Sequence, residues 1–244
     1  EPLAGYRLLV LPAHYLLSEV AARRVRDFVD AGGHLVVSYL SGVADEYARV
    51  RVGGYPGALR DLLGVRVVEF HPLAEGDSVP LAWTDEAMAP RHGGEGGAGG
   101  EGGGGADGDD GPTGRIWSES VLLTGATPVA RYAAGALAGE PAVTRHRHGA
   151  GAAWYVSTRL DDASYRRLLT RAATAAGVAP VCAGAGDGLE AVRRRAGDHR
   201  WLFLINHGDR ERQVPASGVE LLSGEPVTGM VTVPAGSMAV IRED

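Results

Sequence analysis

The chain has 244 residues with 45% hydrophobic content, enough to bury a sizeable core as one large domain or two modest ones. Its formal net charge of −6 gives no electrostatic footprint for nucleic acid or an anionic membrane surface, and no apolar run approaches the ~20 residues that span a bilayer. The single cysteine, Cys182, excludes an internal disulfide and fits a cytoplasmic protein.

Residues 7–12 (RLLVLP) form a short apolar run that predicts a buried strand. Ser18 is a plausible helix N-cap. Ala21, Val25, Phe28 and Val29 then recur at helical spacing over 19–31, and Gly32 and Gly33 stop the helix. Residues 35–37 (LVV), uninterrupted and partly β-branched, suit a second strand covered on both faces. Strand, helix and strand make a right-handed βαβ unit with parallel strands. The second strand runs into a turn, Ser38, Tyr39, Leu40, Ser41 and Gly42. Ligands of open α/β sheets gather outside such carboxyl ends, so any site is expected here and in the loop that follows. That loop, 43–57, holds Asp45, Glu46, Tyr47, Arg49, Arg51, the pair Gly53 and Gly54, and Tyr55. A short helix is expected from Pro56 to Gly64, then a strand over 65–70.

Over about 92–114 the composition collapses to glycine with Glu, Asp and Ala, which predicts a disordered surface insertion. It is not a phosphate loop, because the lysine and the flanking strand and helix are missing. Strands are expected over 116–123, 128–132, 142–147 and 152–157, the last two joined as a hairpin, and a helix over 161–176. Residues 178–188 read as a linker. Beyond them, short runs at 189–194, 201–206, 219–222, 227–233 and 237–241 predict a small antiparallel β-sandwich. The expected domains are thus 1–180 and 188–244.

The turn after the second strand is similar to the Gly-x-Cys-x-Gly elbow of class I glutamine amidotransferases, with Leu40 in the place of the nucleophile. A leucine cannot attack an amide, and Ser41, one place off, lacks a recognisable His and Glu pair downstream. Adjacent Asp45 and Glu46 point in different directions and cannot flank one scissile bond. His146 and His148 share a strand face, yet no third ligand is in view, so neither a metal nor another cofactor is expected. No catalytic residue is assigned.

The stretch 6–70 resembles the trimerisation domain of glycoside hydrolase family 42 β-galactosidases through SGVADE at 41–46 and GGYPGALRDLLG at 53–64. PAVTRHRHGAGAAWYVSTRLD and FLINH further on look like the same family, as does the β-rich C-terminus. The resemblance implies an α/β, flavodoxin-like, amidotransferase-like domain, incomplete at its N-terminus, followed by the small β domain. It implies self-association as a homotrimer, and action on galactosides through a (β/α)8 barrel that would precede this chain and carry both catalytic glutamates. The loop residues Ser41, Asp45, Glu46, Tyr47, Arg49 and Tyr55 would then line the trimer interface or shape the substrate site. The plainer alternative has Asp45 and Glu46 pairing with Arg49 and Arg60 to hold the turn. A free-standing carbohydrate-binding or regulatory module remains a second functional reading, and a residual amidohydrolase, which Leu40 argues against, a third.

Overall fold

The computed structural model describes residues 3–85, 88, 111–182 and 188–243, which fall into two compact units divided between Val178 and Ala179. The first unit opens with β1 (Leu8–Leu11), α1 (Glu19–Asp30) and β2 (His34–Ser38), with β1 and β2 parallel and in register from Leu8 opposite His34. Ser18 caps α1 by accepting the Ala21 N–H at 3.1 Å, a contact worth about 1 kcal/mol. The helix buries Ala22, Val25, Phe28 and Val29, one stripe at helical spacing.

A 3₁₀ turn (Gly57–Leu59) leads into the single-turn α2 (Arg60–Leu63), and then follow β3 (Val65–Pro72), β4 (Ser78–Trp83), β5 (Thr113–Arg115), β6 (Trp117–Leu123), β7 (Thr127–Tyr132), β8 (Pro141–His148), β9 (Gly151–Val156), β10 (Arg159–Leu160) and α3 (Asp162–Ala175). Eight strands form one mixed sheet in the order β1-β2-β9-β8-β7-β4-β5-β10, while β3 and β6 pair separately. Only the pairings of β1, β2 and β9 are parallel; the rest of the large sheet is antiparallel.

Strand β2 is covered on both faces, as a continuous apolar run requires. Leu35 and Val37 enter a core with α1, α2 and β3, whereas Val36 enters the opposite core with Trp154 of β9 and Leu168 of α3. That double burial makes β2 the rigid post from which the following turn projects.

Two expectations for this unit need correction. The final residues of the glycine-rich segment are not structureless: Thr113–Arg115 is strand β5, whose backbone pairs with β4 and β10. Thr113 is further fixed by its N–H donating to Asp161 Oδ2 at 2.8 Å. Residues 92–110 lie outside the described residues. Strand β4 is an addition to the expected strands, its apolar pattern being interrupted by Pro80.

The second unit holds β11 (Leu189–Ala196), β12 (His199–Asn206), β13 (Arg212–Glu220), β14 (Pro226–Val233) and β15 (Met238–Glu243). They make one five-stranded antiparallel sheet, β11-β12-β15-β13-β14, rather than the two stacked sheets of a sandwich. The reason is β15, which pairs with both β12 and β13 and so joins two hairpins into one surface. Leu202, Leu204, Val214, Val231, Val233, Ala239 and Ile241 alternate inward from four strands into a single core, to which Cys182 adds its buried thiol.

Candidate functional site

The turn after β2 is knitted to the turn after β1 by short polar contacts. The Ala13 N–H donates to Ser38 Oγ at 2.7 Å, the His14 N–H to Ser41 Oγ at 3.0 Å, and the Gly42 N–H to the His14 carbonyl at 2.9 Å. Ser41 is 1% exposed, so its hydroxyl is a structural acceptor buried under the turn. Leu40 adopts φ +57°, in the left-handed region that a Cβ disfavours.

What holds Leu40 there comes from below. Its N–H donates to Glu119 Oε1 at 3.1 Å; the Trp117 indole N–H donates to the same oxygen at 3.1 Å, and the Tyr155 hydroxyl donates to Glu119 Oε2 at 2.5 Å. Glu119 is 1% exposed. Burial pushes its carboxyl up to about 7, the three hydrogen bonds pulling it only part of the way back. With the Tyr39 N–H bound to the Val156 carbonyl at 2.7 Å, the amides of Tyr39, Leu40 and Gly42 are all occupied inside the protein.

The 43–57 loop is closed at a neck and braced within. Gly42 (φ +62°) and Gly57 (φ +57°) meet there: a Cβ on Gly42 would fall 2.5 Å from the Pro56 carbonyl oxygen, and one on Gly57 2.5 Å from the Gly42 carbonyl oxygen. Asp45 braces the tip, accepting the Tyr47 N–H at 2.9 Å, the Arg49 N–H at 3.0 Å and the Arg49 Nε–H at 2.8 Å. What burial it has would raise its carboxyl, but those backbone and guanidinium donors outweigh this and hold it below the usual range. Arg51 ties the loop to α1 through Glu19 and through the Leu17 carbonyl at 2.7 Å. Arg60 donates to the carbonyls of Gly53 and Gly57. Tyr55 exchanges backbone hydrogen bonds with Val67 and stacks on Phe70 at 5.1 Å, with Trp117 5.2 Å beyond.

Of the residues singled out from the sequence, the structure therefore brings Ser41, Asp45, Arg49 and Tyr55 into the loop's own framework, while Glu46 and Tyr47 face solvent. Beside the loop runs a groove of about 520 Å³ lined by Glu19, Arg26, Asp45, Arg49, Arg51 and Arg60. Next to it lies an apolar surface that the sequence did not reveal. Tyr15, Leu16, Val20, Tyr47, Val50 and Val52 are 46, 48, 50, 72, 58 and 94% exposed. They sit on segments pinned to one another, because Ala44 bridges both Leu16 and Val50. Six exposed large apolar side chains on these pinned segments make the corner a candidate interaction surface.

His146 and His148 do lie 6.0 Å apart, but His146 Nδ1 bonds the Leu62 carbonyl at 3.0 Å and His148 pairs with Asp30 at 3.3 Å. Among the described residues no group of three His, Cys, Asp or Glu side chains could hold a metal ion.

The fold defines a class: a mixed α/β domain followed by a small antiparallel β domain. Comparison with known proteins makes the assignment narrower. Residues 1–179 match the β-galactosidase trimerisation domain family and residues 188–243 the β-galactosidase C-terminal domain family, and the chain belongs to this family. A β-galactosidase of an Arthrobacter species is 41% identical over 99% of this chain and 31% of its own length, and BglY of Alicyclobacillus acidocaldarius is 36% identical over 99% and 33%. The crystal structure of β-galactosidase from Bacillus circulans sp. alkalophilus superposes with a TM-score of 0.86 at 26% identity, covering 100% of this chain and 34% of that one. The chain thus spans about a third of the length of the relatives it matches.

Proposed function

We propose that this chain is the self-associating, non-catalytic part of a β-galactosidase that removes terminal β-D-galactosyl groups, with the acid/base and nucleophile glutamates on a barrel outside it. The observation that carries this reading is the pair of consecutive family matches, trimerisation domain then C-terminal domain, on a chain whose elbow presents Leu40 with its amide already bound by Glu119. The first domain is an amidotransferase-like fold that has given up its chemistry; the left-handed turn at the end of the central parallel strand β2 supports that descent. The assembly is a homotrimer, in keeping with the family's description, and the exposed corner around Tyr47, Val50 and Val52 is where copies meet. Glu46 and Tyr47, with Ser41, Asp45, Arg49 and Tyr55 as the frame, reach the rim of a barrel site and contribute to substrate binding without cleaving the bond. The cytoplasm is the compartment that the lone Cys182 favours. Reading the coding sequence upstream of Glu1 tests the proposal: a (β/α)8 barrel with paired glutamates is expected, and an unrelated domain there overturns it.

A further inference from the structure

Among the described residues Glu119 has no cation as a hydrogen-bond partner, although a carboxylate this deeply buried is ordinarily paired with one. Among the described residues its carboxylate accepts from three donors: the Leu40 amide after β2, the Trp117 indole on its own strand and the Tyr155 hydroxyl from β9. The other titratable group against it is Tyr132 of β7, whose hydroxyl accepts the Glu119 N–H at 3.4 Å and bonds Ser157 Oγ at 2.9 Å. From β3 the residue in register is Phe70, which is apolar. Burial raises both phenols above their ordinary range, so neither ionises near neutrality. Glu119 is the member of this cluster whose charge changes there.

The path outward is short. Leu40 is followed directly by Ser41 and Gly42, and Gly42 abuts Pro56 and Gly57 at the neck of the loop. We propose that Glu119 is a positioning residue whose charge sets the grip on the left-handed turn at Leu40, and through it the presentation of the 41–57 loop, so that self-association tightens when Glu119 is ionised. The physical basis is that an ionised acceptor makes a markedly stronger N–H bond than a neutral one, applied to a residue that needs an outside hold to stay left-handed. The inference rests on the reading that this loop lies where copies meet.

Sedimentation equilibrium of the intact protein one pH unit below and one above the Glu119 midpoint tests it, on the natural sequence, Glu119→Gln and Val52→Asp. The natural sequence is expected to bind itself roughly fivefold more tightly at the higher pH, the size of a charge-assisted gain in one hydrogen bond. Glu119→Gln, which keeps a carbonyl for the Leu40 amide but never ionises, is expected to show the weaker value at both. Equal pH dependence in the two, or none in the natural sequence, overturns the role of Glu119. If Val52→Asp assembles as the natural sequence does, it is the interface reading that has failed. The grip on Leu40 is then read directly: its amide proton resonance must titrate with the Glu119 midpoint, and a resonance that stays put contradicts the proposal even if Glu119→Gln does not fold.

Discussion

The buried carboxylate of Glu119 accepts the backbone N–H of Leu40 at 3.1 Å, joining strand β6 to a turn 79 residues earlier in the chain. That turn is the carboxyl end of β2, the place where ligands of open α/β sheets gather. Here it is fastened from beneath, and a loop of exposed apolar side chains is built on top.

The same carboxylate makes folding stability depend on pH. Its folded value of about 7 lies above the ordinary 4.5, so the folded state binds the extra proton between those limits and stability falls as pH rises through them. The contribution is intact below the unfolded value and gone above the folded one. Glu119→Gln should remove this slope and be the more stable form above neutrality, by up to about 3 kcal/mol. Urea unfolding across the range measures it; parallel curves for both proteins would show that Glu119 does not titrate in this window.

The neck of the loop depends on two glycines. Gly57→Ala would place a methyl group against the Gly42 carbonyl at a left-handed position, and is expected to cost about 1–3 kcal/mol in stability. A shift in urea midpoint reports it. An unshifted midpoint would mean that the neck opens without penalty.

In the intact enzyme, Glu46→Ala should raise KM or loosen the assembly while largely sparing kcat for an activated galactoside, because remote contacts contribute mainly to uniform binding. Tyr55→Ala should do the same, with an added loss of stability from the Phe70 stack. If both variants match the parent in assembly, KM and kcat, the loop is scaffolding only.

This chain by itself should not hydrolyse a chromogenic β-galactoside. A retaining mechanism needs two carboxyl groups about 5–5.5 Å apart across the sugar, and the acidic side chains of the candidate corner are otherwise engaged or adjacent in sequence: Asp45 with Arg49, Glu19 with Arg51. Turnover that disappears when one carboxylate of this chain is changed would contradict the assignment.

Much of the first domain's opening is legible in the sequence because periodicity is local. Val25, Phe28 and Val29 mark one helix face, and Leu35, Val36 and Val37 mark a strand buried on both sides. The Asp45–Arg49 brace is legible for the same reason, its partners being four residues apart. Glu119 is not, since its partners Leu40 and Tyr155 are distant in sequence and an acidic residue between serines on a strand reads as solvent-facing. Nor is the apolar corner, because it depends on Ala44 bridging Leu16 and Val50, which lie far apart in sequence, and nothing local marks Val50 and Val52 as exposed. In the C-terminal sheet Pro215 and Gly218 break the alternation of β13 and hide half of it, and the single-sheet form depends on β15 choosing two partners, which no local pattern encodes.

The proposed role of this chain is assembly of a galactosidase rather than its chemistry. Sedimentation equilibrium of the intact protein at micromolar concentration tests it most directly, with Val50→Asp/Val52→Asp as the paired variant. A trimer is expected, which the double substitution dissociates into protomers with an unchanged circular dichroism spectrum; a natural sequence that sediments as a monomer would contradict it.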